Sequence, residues 1–350
     1  MSPLLGFAFF PDITFARLQY LLRRYSAVEA WQSFTGQDLR RMNINPKRIG
    51  EILRARDAMD LERFRARLEA DKITVLDYFA PEYPQLLKEI FDPPILLFKK
   101  GQLSVRDCAG VAVVGTRRPS AYGQRAAEKI VQVLNGTVVS GMARGIDAIA
   151  QETALAQGLP TVAVLGTSVD KCYPTENQKL YDRLASDGAI LSEYPDNENF
   201  NKWRFPRRNR IITGLCRTVI VVEGALTSGA LISGKIALEQ DRDVYALPGQ
   251  IDNPLAAGTN WLIAQGAKPV YDLEQLRLDL CGGQQPLFAK PSYTLNPDEA
   301  KIYEQIPSGG AVALDTLLEN FEVSFLSQTL LQMEMKGMIS ILPGKQVIRI

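Results

Sequence analysis

Residues 110–147 read GVAVVGTRRPSAYGQRAAEKIVQVLNGTVVSGMARGID, and this stretch decides the fold. A short apolar run rich in β-branched residues (111–114) enters the loop Gly115-Thr116-Arg117-Arg118-Pro119-Ser120, from which a helical stretch (121–134) departs. A second apolar run (137–139) follows, and then a second glycine-bearing loop. Continuous apolar runs mark strands buried on both faces, and a helix between two of them marks a parallel crossover. The unit recurs. Further runs stand at 161–165, 189–191, 218–222 and 244–247, with helical stretches at 146–156 and 230–239. The spacing predicts a doubly wound, Rossmann-like α/β core built on a parallel sheet.

Upstream of that core, residues 73–100 hold apolar runs at 73–76 and 95–98 around Tyr83-Pro84 and Pro93-Pro94, a connecting segment with short strands. Residues 1–72 read as helical: Phe15, Leu18, Leu21, Leu22, Tyr25 and Val28 recur at helical spacing, and Ile49, Ile52 and Leu53 lie on a further helix. From Arg17 to Arg67 there are 12 basic and 6 acidic residues, a net +6 that suits a DNA-binding face and a solvated helical face equally. Downstream, Gly282-Gly283-Gln284-Gln285-Pro286 reads as linker. Residues 298–306, 314–319 and 324–336 then read as three helices, and 338–342 and 346–350 as a hairpin around Pro343-Gly344-Lys345, the order of a winged helix. The predicted domains are 1–72, 73–280, a linker at 281–294, and 295–350.

What the chain lacks narrows its function. It contains no histidine, which excludes Ser-His-Asp and Cys-His triads, a histidine general base and a histidine-ligated haem. The four cysteines, at 108, 172, 216 and 281, form no Cys-x-x-Cys pair and read as reduced thiols, so no metal site is expected. No segment approaches the roughly 18 apolar residues of a membrane span, and the first residues lack a basic stretch before an apolar one, so a cytoplasmic protein is expected. With 40 basic against 39 acidic residues, an anionic partner is not advertised by net charge and has to be read from local clustering.

Ligands of open parallel sheets bind beyond the carboxyl ends of the strands. The loops there hold Gly115, Thr116, Arg117, Arg118 and Ser120; then Gly141, Arg144, Gly145 and Asp147; then Asp170, Lys171, Tyr173 and Asn177. After the fourth strand come Lys202, Arg204, Phe205, Arg207, Arg208, Asn209 and Arg210, and after the fifth Ser228 and Gly229. Nine cations thus gather on one rim, although residues 110–272 as a whole carry 17 basic and 16 acidic groups. Arginine forks suit phosphate oxygens, and so many of them suit a polyanion better than a single nucleotide. Tyr173 reads equally as a base-stacking ring and as a loop-packing one. Neither Gly-x-Gly-x-x-Gly nor a P-loop is present, so no dinucleotide or ATP cofactor is expected.

Two rival readings stand beside polyanion binding. One is a Rossmann-like enzyme acting on a nucleotide or phosphosugar through Asp147, Asp170, Glu193 or Glu223, although an aspartate opening a helix is more often a cap. The other is a regulator that reads duplex DNA with its winged helix.

The same loops resemble the DprA/Smf family of DNA-processing proteins. The resemblance rests on Val113-Val114-Gly115-Thr116-Arg117, on residues 140–147 (SGMARGID), on Asp170 with Tyr173-Pro174 and Asn177, on residues 205–212 (FPRRNRII), on Ser228-Gly229-Ala230-Leu231-Ile232 and on Pro248-Gly249; Asp77, Tyr83-Pro84 and Asp92-Pro93-Pro94 extend it upstream. It implies a Rossmann-like core that binds and shields single-stranded DNA without catalysis, dimerises, and passes the strand to the RecA recombinase during natural transformation. It also implies a front domain related to helix-hairpin-helix or SAM modules and a winged-helix tail. The chain departs from that pattern in places. Gln151 stands where the family usually has histidine, and Ser168 where it usually has the second glycine of Gly-Thr-Gly. The front reads Phe10-Pro11-Asp12-Ile13 without a Gly-x-Gly hairpin. Residues 295–350 hold 7 acidic and 4 basic residues, and Lys336 is the only cation of the expected recognition helix, which favours a protein contact over a DNA contact for that unit.

Overall fold

The protein is described by a computed structural model that covers residues 2–106, 108–196, 201–280, 295–307, 311–318, 320–335, 338–342 and 346–349. Among these, the chain forms two compact units, residues 1–281 and 282–350.

The first unit is organised by a nine-stranded sheet. Its strands are β1 (Thr74–Asp77), β2 (Leu96–Lys100), β3 (Gly110–Val114), β4 (Val138–Ser140), β5 (Thr161–Val164), β6 (Ala189–Ser192), β7 (Cys216–Val221), β8 (Asp243–Ala246) and β9 (Lys268–Pro269). They lie in the order β1-β2-β6-β5-β4-β3-β7-β8-β9. From β6 to β9 every pairing is parallel, whereas β1 and β2 add an antiparallel pair on the β6 edge. The expected parallel core is present, and the upstream segment extends it as an edge hairpin.

Alternation along the central strands shows why both faces are covered. Ala112 and Val114 of β3, with Val219 and Val221 of β7, pack into one core with the helices Arg204–Gly214 and Gly229–Glu239. Val113 and Ile220 point the other way, into a second core with the helices Ala121–Gln132 and Ile146–Ala156. Successive side chains of a strand face opposite sides, so a strand sandwiched by helices must be apolar at every position. The strand order reverses between β3 and β7. That is the topological switch point, where the loops on either side diverge and leave a crevice.

Two features differ from the sequence expectation. Residues 204–214, read as part of a loop, form a helix; the run RFPRRNRIITG masks it because four arginines and a proline obscure the apolar stripe of Ile211 and Ile212. Pro206 is tolerated there because it sits in the first turn, where its missing N–H has no helical partner to lose. The front also does not stand apart from the sheet. It holds helix Phe15–Leu22 and four helices with side-chain caps, Ala27–Ser33, Gly36–Arg41, Pro46–Ala58 and Leu61–Ala70, capped by Ser26, Thr35, Asn45 and Asp60 in turn. Leu18, Leu21, Phe64 and Leu68 share one continuous core with Leu96 and Phe98 of β2 and Ile190 of β6. The expected boundary near residue 72 therefore falls inside a compact unit.

The second unit runs helix Pro297–Gln305, strand β10 (Ala311–Ala313), helix Leu314–Leu318, helix Val323–Met335, and strands β11 (Ile339–Leu342) and β12 (Gln346–Arg349). The short β10, absent from the sequence reading, pairs with β12 and makes a three-stranded antiparallel sheet. Ile302, Leu317, Leu326, Leu330, Met333 and Val347 form its core. The expected linker at 281–294, the turn at 343–345 and Lys336 lie outside the described residues.

Candidate nucleic-acid interface

At the switch point a cleft of about 420 Å³ opens between the loop after β3 (Gly115, Thr116, Arg117) and the start of helix Gly229–Glu239 (Ser228, Gly229, Ala230). Its remaining wall comes from Phe205, Arg208 and Asn209 of the helix after β6. A smaller hollow of about 190 Å³ adjoins it and shares Arg117, Ala143, Phe205 and Arg208; Arg144, Tyr173 and Glu176 complete its wall.

The loops that build these walls are held from beneath by two buried, oppositely charged side chains, Asp147 and Arg208, which each bond backbone groups of the loops and attract one another without a direct contact. Asp147 lies at the base of the cleft and accepts hydrogen bonds from the backbone amides of Gly141 (3.1 Å), Gly115 and Ala143. Burial pushes its carboxyl up from the ordinary aspartate value, against the pull of Arg208 and those three amides. Arg208 donates to the carbonyls of Gly141 and Val164, and burial lowers it to about 10, with Asp147 opposing the shift. The two groups fasten the loops after β3, β4 and β5 to one helix. Arg208 is thus a brace rather than an open cation.

Glycine is required in these loops chiefly by close packing. A side chain at Gly141 would stand 2.5 Å from the Arg208 guanidinium, and Gly145 has φ +77° with the Thr116 carbonyl 2.4 Å from where its Cβ would be. Gly115 similarly abuts Ile146. Gly229 differs, since nothing lies within 4 Å of its missing side chain. It opens an eleven-residue helix capped by Ser228, whose Oγ accepts from Leu231 N at 3.2 Å. The amide end of this helix faces the cleft and favours an anion there.

The nine rim cations divide into groups. Arg117, Arg118, Arg144, Lys171 and Lys202 are exposed. Arg144 is paired with the exposed Glu176. Arg207 and Arg210 turn to the far side of helix Arg204–Gly214, where Arg210 meets Glu193 at 2.5 Å and both arginines approach Asp92. Arg204 is buried beneath Tyr194, its guanidinium 4.3 Å from the ring centre. Helix formation explains the split, because residues three or four apart share a face and residues two apart do not. Phe205, Arg208 and Asn209 face the cleft; Arg207 and Arg210 face Glu193.

Aromatic groups lie among the exposed cations. The Tyr173 and Phe205 rings are 5.3 Å apart and tilted by 31°, and the Arg117 guanidinium sits 5.8 Å from the Phe205 ring centre. Asn177 donates to the Met142 carbonyl at 3.0 Å and so secures the loop after β4. Asp170 accepts from the Ser168 hydroxyl, while Lys171 is exposed beside it. Ser120 caps helix Ala121–Gln132 and donates to the buried Glu223 at 2.5 Å, tying the β3 loop to the end of β7. Asn209 donates to the Gly229 carbonyl at 3.4 Å.

Sequence reasoning did not find Gln151, Glu176 or the Ser120–Glu223 tie as structural members of the site. Gln151 is fully buried; its Oε1 accepts from Met142 N and its Nε2 donates to the Val162 carbonyl, both at 3.1 Å. An amide supplies the donor and the acceptor in one side chain, so this position needs no charge. The four carboxylates considered for catalysis are each engaged: Asp147 by amides and Arg208, Asp170 by Ser168, Glu193 by Arg210, Glu223 by Ser120.

The family model of DNA recombination-mediator protein A matches residues 74–280. The chain belongs to this family. It is 47% identical over 190 residues to the DNA processing protein DprA of Streptococcus pneumoniae, covering 54% of this chain and 67% of the relative. Over 342 residues it is 35% identical to protein Smf of Synechocystis, covering 85% of each. The solved structure of the S. pneumoniae protein superposes with a TM-score of 0.67 at 36% identity, over 79% of this chain and 97% of that one. A structure of DNA processing protein A from Helicobacter pylori, which describes its single-stranded DNA binding mode, gives a TM-score of 0.55 at 31% identity, over 60% of this chain and 96% of that one. The recombination-mediator match begins at β1 and ends with helix Leu273–Leu280, so it spans the whole sheet, the edge hairpin included.

Proposed function

We propose that this recombination-mediator family member binds single-stranded DNA along the carboxyl edge of its sheet, across the switch point, and does no covalent chemistry on it. The carrying observation is the combination at that edge: an open cleft, the Tyr173–Phe205 ring pair, and exposed Arg117 and Arg144 beside it. Rings offer sequence-tolerant stacking to splayed bases, and exposed guanidiniums neutralise phosphates. Duplex bases are already stacked and cannot use such rings. The strand's phosphates contact Arg117, Arg118, Arg144, Lys171 and the amides at Ser228-Gly229; Thr116 lines the cleft beside them. Arg207 and Arg210 hold the helix in place and contribute little directly. The H. pylori relative's binding of single strands supports this reading.

Beyond the strand itself, the protein acts in the cytoplasm as a homodimer that hands DNA to the RecA recombinase in natural transformation, consistent with the family's description as a recombination mediator. The second unit is a winged helix by its element order, and it serves a protein contact. The described part of its long helix, Val323–Met335, carries Glu334 and no cation, and exposes Val323 and Leu331. Fluorescence anisotropy of labelled oligo-dT tests the site: Arg117→Ala/Arg144→Ala loses most of the affinity, and wild-type affinity in that variant rejects the rim.

A further inference from the structure

The carboxyl edge of the sheet does not end at the switch point. Beyond Arg117 and Arg118, helix Ala121–Gln132 begins, and its exposed Tyr122, Arg125 and Lys129 recur at i, i+3 and i+7, one face of the helix. This face walls a hollow of about 230 Å³ whose other side is Tyr271 with Asp272 and whose floor is Ala126, Ile130, Leu247 and Val270. Tyr122 also borders a second hollow of about 380 Å³ against Pro248, Gly249 and Gln250, at the end of β8. The two hollows share Tyr122 and Leu247, so an open groove leads away from the rim past β8 to the end of β9.

We infer that this groove is a second contact for the same single strand, in which Tyr122 and Tyr271 stack bases and Arg125 and Lys129 hold phosphates. The inference rests on the single-strand reading of the rim. Tyr122 and Tyr271 are 47% and 74% exposed, large values for rings that border an apolar floor. Tyr122 is set in place by its hydroxyl, which donates to the Pro248 carbonyl at 3.2 Å. Among the described residues, Arg125 and Lys129 have no carboxylate partner within ion-pair distance, unlike Arg207 and Arg210. The acidic groups nearby are few: Glu128 is exposed on the same helix, Asp272 caps helix Leu273–Leu280 by accepting from Gln275 N, and the buried Glu223 is held by Ser120. From Tyr122 to Lys129 the helix rises about 10 Å, room for about two nucleotides in an extended strand. Ser120, which caps this helix, directly follows the rim loop, so the path from Arg118 to Tyr122 is continuous along the chain.

Anisotropy with two oligo-dT lengths separates this groove from the rim. One oligonucleotide of about six nucleotides is filled by the rim alone; one of about twenty reaches the groove. The full-length Arg125→Ala/Lys129→Ala and Tyr271→Ala variants should bind the short oligonucleotide as wild type does. Both should bind the long one about tenfold more weakly, and the double variant should show a salt slope shallower by about 1.4. Wild-type affinity and slope for the long oligonucleotide in both variants overturn the groove and leave the rim reading intact. A fall in molecular mass by sedimentation, with affinity changing only in step with it, also overturns it, because the face is then an interface between copies. Absence of single-strand binding by the wild type would instead defeat the rim reading itself.

Discussion

Removing either member of the Asp147–Arg208 pair should destabilise the protein sharply, whereas removing both should cost far less than the sum. Asp147 is 6% and Arg208 5% exposed, so neither charge has water to fall back on once its partner is gone. Leaving a buried charged group without its compensating neighbour typically costs about 1–3 kcal/mol, and the double replacement removes both uncompensated charges at once. Asp147→Asn keeps one acceptor for the three amides but leaves Arg208 charged and unmatched; Arg208→Met leaves a buried carboxylate. For a unit of this size, 3 kcal/mol corresponds to a fall in Tm of roughly 6–12 °C. A double-mutant cycle by urea denaturation should return a coupling of about 1–3 kcal/mol. Additive single effects would refute the argument that the two side chains brace the rim as a unit, and would reduce Arg208 to a donor for the Gly141 and Val164 carbonyls.

Three further outcomes follow from the same geometry. Burial raises the Asp147 carboxyl above its usual 3.8, so its contribution to stability is greatest below that value and is lost as pH rises through the raised one; Asp147→Asn should remove this part of the pH–stability slope in acid denaturation. Gly141→Ala should displace the Arg208 guanidinium, lowering stability by about 1–3 kcal/mol in urea titration and weakening oligo-dT binding, and a variant of wild-type stability would reject the close-packing account. Glu176→Gln frees Arg144 from its exposed partner and should tighten oligo-dT binding by up to about fivefold in anisotropy; weaker binding would show that Glu176 orders the loop instead.

The fold was legible because the pattern that carried it is simple physics. Strands such as β3 and the Val219–Val221 end of β7 lie between helices, so they read as continuous apolar runs, which a helix at the same positions would not require. The hairpin strand β2 and the helix Arg204–Gly214 were harder. Leu96–Lys100 ends in two lysines, and the helix hides its apolar stripe behind arginines. The site was legible as a set of loops but not as a set of roles. Composition placed nine cations on one edge; only the helical turn reveals that Arg207 and Arg210 point to Glu193 and that Arg208 is buried under the cleft. Pairings such as Arg144 with Glu176, 32 residues apart, leave no local trace in a single sequence. Gln151 is legible only as a departure from the family's histidine, and its two hydrogen bonds explain why an uncharged amide suffices.

The most direct test of the central claim is the affinity of the wild-type protein for oligo-dT and for a matched duplex across a range of salt concentrations. The rim account predicts a clear preference for the single strand and a log–log salt slope of about −0.7 for each phosphate held, hence near −3 for four exposed cations. Equal affinity for the duplex, or a slope near zero, would contradict it.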